Sequence, residues 1–252
     1  MKSLVLALLL IISIGKFSAQ TTEGQITYKM DFSSDNPEMA VALPMMQGST
    51  MQLYFTKDKS AADVEMGSIM KMKSVMDTKL DKGIILIDVM GQQIANNIES
   101  ISKTKVDTDK IGKPVLTSET KQILGFNCKK YTVKDPSSES NDSVLWITTD
   151  IKTTLAGQKQ FTNGLEGVPL EFSTMQQGMN VHFEATNFVK TLDHEVFSTK
   201  IPEGYKIMTE EEMKRIGITG QNGFVGSHLY NTLGLNPEEY ERIDFQKEYF
   251  EN

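Results

Sequence analysis

The sequence predicts a mainly β protein, built on a curved antiparallel sheet or half-barrel with a few helices. Apolar and polar residues alternate with a period of two through most of residues 24–187, and turn-forming groups such as Asp81-Lys82-Gly83 separate the alternating runs. Many short antiparallel strands bury an apolar face by curling into a barrel, half-barrel or sandwich. The 252-residue chain is long enough to enclose a substantial core.

The individual strands follow from the alternating runs. They are predicted at residues 24–32, 51–55, 69–77, 84–90, 92–98, 115–121, 126–133, 144–149, 168–174 and 179–187. The last two are expected to form a hairpin, the polar residues 57–60 to end the second strand, and residues 202–205 to end the β pattern. Residues 36–48 predict a short helix or flap broken at Pro44, and residues 151–161 predict a helix or an irregular crossing.

The N-terminus is typical of a secretory signal peptide. Lys2 precedes an apolar run from Leu4 to Ile14, and the small residue Ala19 suits the position before a cleavage site. We therefore expect residues 1–19 to direct export to the periplasm or outer envelope, with cleavage after Ala19. No cysteine ends the apolar run, which disfavours a lipid-anchored lipoprotein, and no later segment is apolar enough to span a bilayer.

The net charge limits the possible partners, and the cysteine content limits how the fold is stabilised. The net charge of −7 argues against nucleic acid and anionic lipid headgroups as partners. Cys128 is the single cysteine, so the fold has no internal disulfide and depends on its core. Its place in an alternating run indicates a half-buried strand thiol rather than a reactive one.

The sequence contains no recognisable catalytic or metal-binding constellation. The histidines are His182, His194 and His228, and no pair of them has the spacing of a zinc hydrolase. No Gly-x-Ser-x-Gly motif is present, and no second catalytic group accompanies any histidine. We therefore predict no catalytic residues and no metal ligands.

Four short segments carry a resemblance to a known family. They are Gly24-Gln25-Ile26-Thr27-Tyr28-Lys29-Met30, Ile123-Leu124-Gly125-Phe126-Asn127-Cys128-Lys129-Lys130-Tyr131, Leu145-Trp146-Ile147-Thr148 and Ile201-Pro202-Glu203-Gly204-Tyr205. Over residues 20–210 the chain resembles an exported bacterial family of unknown function (DUF4412-like). The resemblance implies a fold like that of periplasmic lipoprotein carriers, in which a curved antiparallel sheet and helices enclose an apolar cavity. It implies no catalytic residues.

Methionines are concentrated between residues 39 and 76. Their flexible, polarizable side chains suit a surface that adapts to varied apolar ligands. This pattern predicts an apolar ligand site at Met45, Met46, Met51, Met70 and Met72. Two alternatives stay open: an ordinary core filled with methionine, and a cuprous copper site, which would usually also recruit histidine or cysteine.

The C-terminal residues 213–252 resemble a different protein class. Residues 215–219 predict a strand that runs into a Thr-Gly-x-x-Gly-x-x-Gly turn containing Gly220, Gly223 and Gly226, with a helix at residues 224–233 and Asp244 about 20 residues on. This tail resembles the start of an NAD-dependent sugar-nucleotide epimerase or dehydratase of the extended short-chain dehydrogenase type. The resemblance implies a βαβ-like Rossmann fragment in which those glycines and Asp244 bind the cofactor.

The tail is too short to be a complete enzyme. The rest of the nucleotide-binding sheet is missing, and no tyrosine is followed by lysine four places later, as the catalytic pair of that class requires. A single βαβ unit cannot bury both its faces. We interpret the tail, which begins at a methionine, as the N-terminal part of a neighbouring enzyme that was joined to this chain by gene fusion, a frameshift or an assembly error. The alternative interpretation is that the glycine pattern arose by chance.

These observations together favour an exported, non-enzymatic envelope protein that binds lipid or a lipidated partner in its curved sheet. The first alternative is a catalytically incomplete epimerase or dehydratase fragment, and the second is a structural envelope module without a ligand. No cofactor is expected, and NAD would bind only if the C-terminal fragment were completed. The sequence predicts neither the ligand nor the oligomeric state.

Overall fold

The computed structural model describes residues 21–35, 37, 43–89, 91–102, 114–134, 142–153, 165–176 and 179–215. The predicted signal peptide at residues 1–19 lies outside these residues, as does the tail from residue 216 onward. Within them the chain is mainly β, which confirms the predicted fold class at that level. No helix in this part of the chain is both long and apolar enough to cross a membrane.

The described residues form one large sheet with very few helices. Its strands β1 to β12 are, in chain order, Gly24–Ser34, Thr50–Phe55, Lys59–Met66, Met70–Asp77, Lys82–Val89, Gln92–Ile98, Pro114–Ile123, Phe126–Lys134, Asp142–Thr148, Val168–Gln176, Met179–Val189 and Lys206–Ile207. Short 3-10 helices span Leu43–Met46 and His194–Phe197, and the α-helix α1 spans Glu210–Arg215.

The sheet is antiparallel except at one edge. Its spatial order is β12-β6-β5-β4-β3-β2-β1-β11-β10-β9-β8-β7, so the chain makes a meander from β1 to β6 and a second one from β7 to β11. The long strands β1 and β11 join the two meanders. Only β12, which pairs with β6 through two residues, runs parallel to its neighbour.

Both faces of the first meander are covered, and its sequence reflects this. In β5 the consecutive residues Ile84, Ile85, Leu86 and Ile87 are all buried. Because neighbouring side chains on a strand point to opposite faces, such a run requires apolar cover on both sides. In β1, by contrast, the buried residues Ile26, Tyr28 and Met30 alternate with more exposed ones, as in the predicted pattern.

The two faces hold two separate cores. The larger core contains apolar residues of β1 to β6 and of β8 to β11, together with Met46, Met208 and Met213. The smaller core lies on the opposite face, on Tyr54, Ala61, Val75, Ile84, Leu86 and Ala95. Phe197 of the second 3-10 helix covers this smaller core, with partly buried apolar residues from Leu192 to Tyr205 packed beside it.

The structure corrects several predicted boundaries. Strand β3, Lys59–Met66, was not predicted, because its sequence KSAADVEM is rich in alanine and acids, which are poor strand formers. It pairs with β2 and β4 on either side, Ala61 packs in the smaller core, and Ala62 is buried on the opposite face. Residue 215, predicted to begin the first strand of the tail, lies in α1 instead, and β12 follows the residues expected to end the β pattern.

Candidate functional site

The predicted methionine site can be located on one face of the first meander, called here the methionine face. The cross-strand register aligns Met51 of β2, Val64 of β3, Met72 of β4 and Ile87 of β5 in one row. A second row places Met66 beside Met70 and Met70 beside Val89. Residues that are distant in sequence therefore lie on one continuous apolar surface, because side chains paired across a ladder stand on the same face.

The five predicted ligand residues differ in their burial. Met46, Met51 and Met70 are no more than 3% exposed and belong to the larger core. Met72 is only partly buried and packs against that core. Met45, next to Met46 in the 3-10 helix, is 46% exposed and points away from the core. The structure thus brings four of the five together and leaves Met45 outside.

Other partly buried apolar residues extend this surface. Leu53, Met76, Val89 and Ile98 pack against the larger core without being fully enclosed. The register puts Leu53 next to Ala62, and Ala62 next to Ser74, so two short side chains lie between the taller residues of the flanking rows. Of these residues, only Met76 belonged to the methionine stretch noted in the sequence. The others become visible once the strand pairing is known.

A 3-10 helix closes one end of the methionine face. Met46 inserts into the larger core, and its carbonyl accepts a 2.5 Å hydrogen bond from Ser49 Oγ. The same hydroxyl oxygen accepts a 3.0 Å hydrogen bond from the backbone N–H of Gly67, in the turn between β3 and β4. Ser49 is fully buried, so one satisfied polar group fixes the helix over the sheet.

Methionines from distant parts of the chain complete the larger core. The fully or nearly fully buried ones are Met30, Met46, Met51, Met66, Met70, Met179, Met208 and Met213, and the partly buried ones are Met72 and Met76. Thioether side chains have three rotatable bonds and adapt to irregular shapes. The methionine face is therefore backed by an unusually deformable core.

Cys128 is more buried than the sequence predicted. It is fully buried in β8 and belongs to the larger core, and burial raises its pKa to about 11. A neutral thiol is a poor nucleophile, so the structure supports the structural interpretation of this residue over the reactive one. Nearby, the buried Tyr28 hydroxyl donates a 2.9 Å hydrogen bond to the Pro169 carbonyl, and burial also raises the tyrosine pKa.

Two histidines are described, and they lie apart from each other. His182 Nδ1 is 3.0 Å from Ser173 Oγ in the pairing of β10 with β11. His194 Nε2 is 3.6 Å from Glu23 Oε1, and both of these side chains are largely exposed. In the described part of the chain, no three histidine, cysteine or acidic side chains gather as they would around a metal ion.

The cofactor residues predicted for the tail cannot be placed. Gly220, Gly223, Gly226 and Asp244 lie outside the described residues, as does His228. Met213, where the tail was taken to begin, is 2% exposed and packs in the larger core of the β domain. The resemblance of the tail to a nucleotide-binding enzyme therefore stays a prediction from sequence.

Comparisons with known proteins give no family assignment. No family model matches the chain, and no curated protein matches it. Two structures of PNGF-II, in different space groups, match 74% and 77% of the chain at 19% and 17% identity, with TM-scores of 0.41 and 0.43. LprF from Mycobacterium bovis matches 74% of the chain at 11% identity, with a TM-score of 0.31.

These similarities are too low to establish a shared fold or function. The chain spans only 30% and 33% of the two PNGF-II chains, although it covers 92% of LprF. The candidate site therefore rests on the side chains of this protein alone.

Proposed function

We propose that the protein is an exported, non-enzymatic envelope protein that binds an apolar ligand on its methionine face. The ligand is either a lipid acyl chain or the acyl chain of a lipidated partner. The observation that carries the proposal is the group of partly buried apolar side chains, Leu53, Met72, Met76, Val89 and Ile98, on one side of the first meander. They are continuous with a deformable methionine core, so an apolar chain could be covered by rearranging thioethers rather than by breaking the sheet.

The chemistry of the site favours an apolar ligand over a polar one. Rows of Met, Val, Ile and Leu offer dispersion contacts and few hydrogen-bonding groups. Specific recognition of a sugar or nucleotide would need several convergent polar groups. Shape-tolerant binding of a hydrocarbon chain needs none, and burial of each methylene contributes about 0.8 kcal/mol.

A structural module without a ligand is the second candidate. It is favoured by the near-complete burial of Met46, Met51 and Met70, since these side chains already occupy the core they would share with a ligand. The two functions differ in whether the partly buried residues of the methionine face are covered by a ligand. Export and ligand binding can both be tested on the naturally expressed protein.

Mass spectrometry of the protein from a periplasmic extract is the first test. The denatured mass tests cleavage after Ala19 and the presence of the tail, and the native mass tests for a bound ligand. An added mass that is released on denaturation and proves to be lipid supports binding. A bare mass under gentle conditions, with no uptake of an added fluorescent fatty acid, would instead favour the structural module.

Two reciprocal substitutions on β4 localise the binding. Met72→Lys places a charge among the partly buried residues and is expected to weaken binding of a fluorescent fatty acid at least about tenfold, because the charge must be desolvated. Lys71→Met is the matched control: Lys71 is exposed on the opposite face and paired 3.1 Å from Glu65, a surface ion pair of small value. Equal weakening by both variants would place the ligand elsewhere.

A further inference from the structure

Two turns at one end of the sheet expose a leucine. Antiparallel pairing puts the β4–β5 turn and the β7–β8 turn at the end where β1 begins, and their residues Leu80 and Leu124 are 66% and 40% exposed. Among the described residues, the only non-glycine residues with a positive φ are Asp81 and Leu124, one in each of these turns. Both turns therefore combine an unusual backbone conformation with an exposed apolar side chain.

Leu124 occupies a position that turn geometry favours for other residue types. Ile123 pairs with Phe126, so Leu124 and Gly125 alone form the β7–β8 turn. Their φ angles of +52° and +83° are those of a type I′ turn, in which Asn, Asp or Gly is preferred and a bulky side chain is strained. Neither the turn nor the core accounts for this leucine, because its side chain lies largely outside the packed interior.

The turn that exposes Leu80 is fixed in place by polar contacts. The Leu80 N–H donates a 2.9 Å hydrogen bond to Asp77 Oδ1 at the end of β4. Asp81 Oδ1 accepts a 2.7 Å hydrogen bond from the Ser102 N–H, and the Asp81 carbonyl accepts a 3.2 Å bond from the Ile101 N–H. These bonds hold the backbone of the turn against the chain that follows β6, while the leucine side chain remains in solvent.

The arrangement of the two leucines fits a bilayer better than a protein partner. Six strands, β3, β2, β1, β11, β10 and β9, lie between β4 and β8. At roughly 4.8 Å per strand the turns are roughly 30 Å apart along the sheet. A stable protein interface needs a continuous patch of roughly 800 Å² on each partner. A fluid bilayer accepts separate side chains one by one, because its acyl chains adapt to each of them.

The charges around Leu80 suit the headgroup region of a neutral bilayer. Lys79 and Lys82 flank the turn and are exposed. Lysine stems can lie along apolar surface while their ammonium groups remain at the level of the lipid phosphates. The net charge of −7 opposes approach to an anionic bilayer, so phosphates that are balanced by choline or ethanolamine are the better match.

We propose that the β4–β5 and β7–β8 turns dock the protein on a neutral phospholipid bilayer, with Leu80 and Leu124 inserted among the acyl chains. Docking goes beyond the proposed function, since it needs no ligand on the methionine face. The two are nevertheless adjacent: Met76 pairs with Gly83, and Gly83 pairs with Ile98, so the row of the methionine face that contains Met76 and Ile98 lies next to the β4–β5 turn.

Co-sedimentation of the full-length protein with phosphatidylcholine vesicles tests the docking. Leu80→Ser should weaken vesicle binding at least about tenfold and Leu124→Asn about fivefold, because each variant loses the burial of a leucine side chain. Leu116→Ser is the matched control: Leu116 is 53% exposed but lies toward the opposite end of the sheet, so vesicle binding should not change.

The effect of Leu124→Asn on stability separates docking from a structural role of the leucine. Asparagine tolerates a positive φ better than leucine, so this variant should have a higher Tm than the wild type while it binds vesicles more weakly. A lower Tm would show that Leu124 stabilises the hairpin and would overturn its assignment to the bilayer.

The other outcomes distinguish docking from its alternatives. Absence of wild-type binding to the vesicles refutes docking, whereas binding of a fluorescent fatty acid in solution decides the proposed function separately. Equal loss of vesicle binding in Leu80→Ser and Leu116→Ser would refute docking through these turns. A dimer detected by size-exclusion chromatography that Leu80→Ser or Leu124→Asn dissociates, without vesicle binding, would assign the turns to a second copy of the chain instead.

Discussion

Gly67 is expected to be the most sensitive glycine among those described. It has a φ of +50°, and a Cβ built there would lie 1.8 Å from the Met45 carbonyl oxygen. That oxygen belongs to the 3-10 helix that inserts Met46 into the larger core. Gly67→Ala therefore forces the helix away from the turn between β3 and β4, since backbone cannot rotate aside as a flexible side chain can.

Two contributions set the size of the effect. A side chain in the left-handed region costs roughly 1–2 kcal/mol. Displacing the helix also exposes Met46, whose burial contributes roughly 1.5–3 kcal/mol. We expect Gly67→Ala to lower the free energy of unfolding by roughly 2.5–5 kcal/mol, which corresponds to roughly 5–20 °C in Tm for a chain of this size.

Gly91→Ala separates the two contributions. Gly91 has a φ of +87°, but nothing lies within 4 Å of a Cβ built there. This variant should show the conformational cost alone, roughly 1–2 kcal/mol. Urea denaturation followed by circular dichroism measures both variants. Equal losses for Gly67→Ala and Gly91→Ala would refute the close packing of the 3-10 helix on the β3–β4 turn.

Three further predictions concern titratable groups and the C-terminal boundary. Asp63 has a raised pKa, mainly through burial, and Lys73 lies 3.4 Å from its Oδ1 without a well-directed hydrogen bond. Folding favours protonated Asp63, so this contribution to stability is lost as the pH rises above 3.8 through the folded pKa. Asp63→Asn should therefore raise Tm at pH 7 relative to wild type, and a lower Tm of the variant at pH 7 would contradict this. Cys128 should react with a thiol reagent at pH 7 only at the rate of unfolding, and rapid labelling of the native protein would contradict its burial. Because burial raises the Cys128 pKa from 9.0 to about 11, the free energy of unfolding should fall as the pH rises through that interval. Cys128→Ala should remove part of this pH dependence. Truncation after Arg215 should preserve Tm. Truncation before Met213 should lower the free energy of unfolding by roughly 2–5 kcal/mol, because a buried methionine is lost. Equal Tm values for the two truncated proteins would show that Met213 does not stabilise the domain.

The comparison of the two truncations also tests the interpretation of the tail as a joined segment. The sequence placed the boundary at Met213 because a methionine precedes the predicted nucleotide-binding strand. The core contact of Met213 cannot be predicted from that pattern, because it depends on the pairing of β12 with β6, a strand more than 100 residues earlier in the chain. A fusion boundary after residue 215 remains compatible with the sequence resemblance, and the truncations test it.

The sequence by itself determined the positions of most strands and the mainly β fold class. Period-two alternation is a local property of the chain, so β1, β8 and the β10–β11 hairpin were predictable to within a few residues. The isolated cysteine in such a run also predicted a thiol without a catalytic role. Strand β3 was missed because alanine and acidic residues carry little local signal, and its stability comes from neighbouring strands.

Only the tertiary structure decided which residues form the candidate site. Met45 and Met46 are adjacent and chemically identical, yet one is 46% exposed and the other 1%. Their difference comes from the orientation of the 3-10 helix on Gly67, which no local pattern encodes. Leu53 and Ile98 lie on the methionine face through strand register, and Met213 enters the larger core from the chain that follows β12. Burial depends on contacts between distant segments, whereas alternation depends only on adjacent residues.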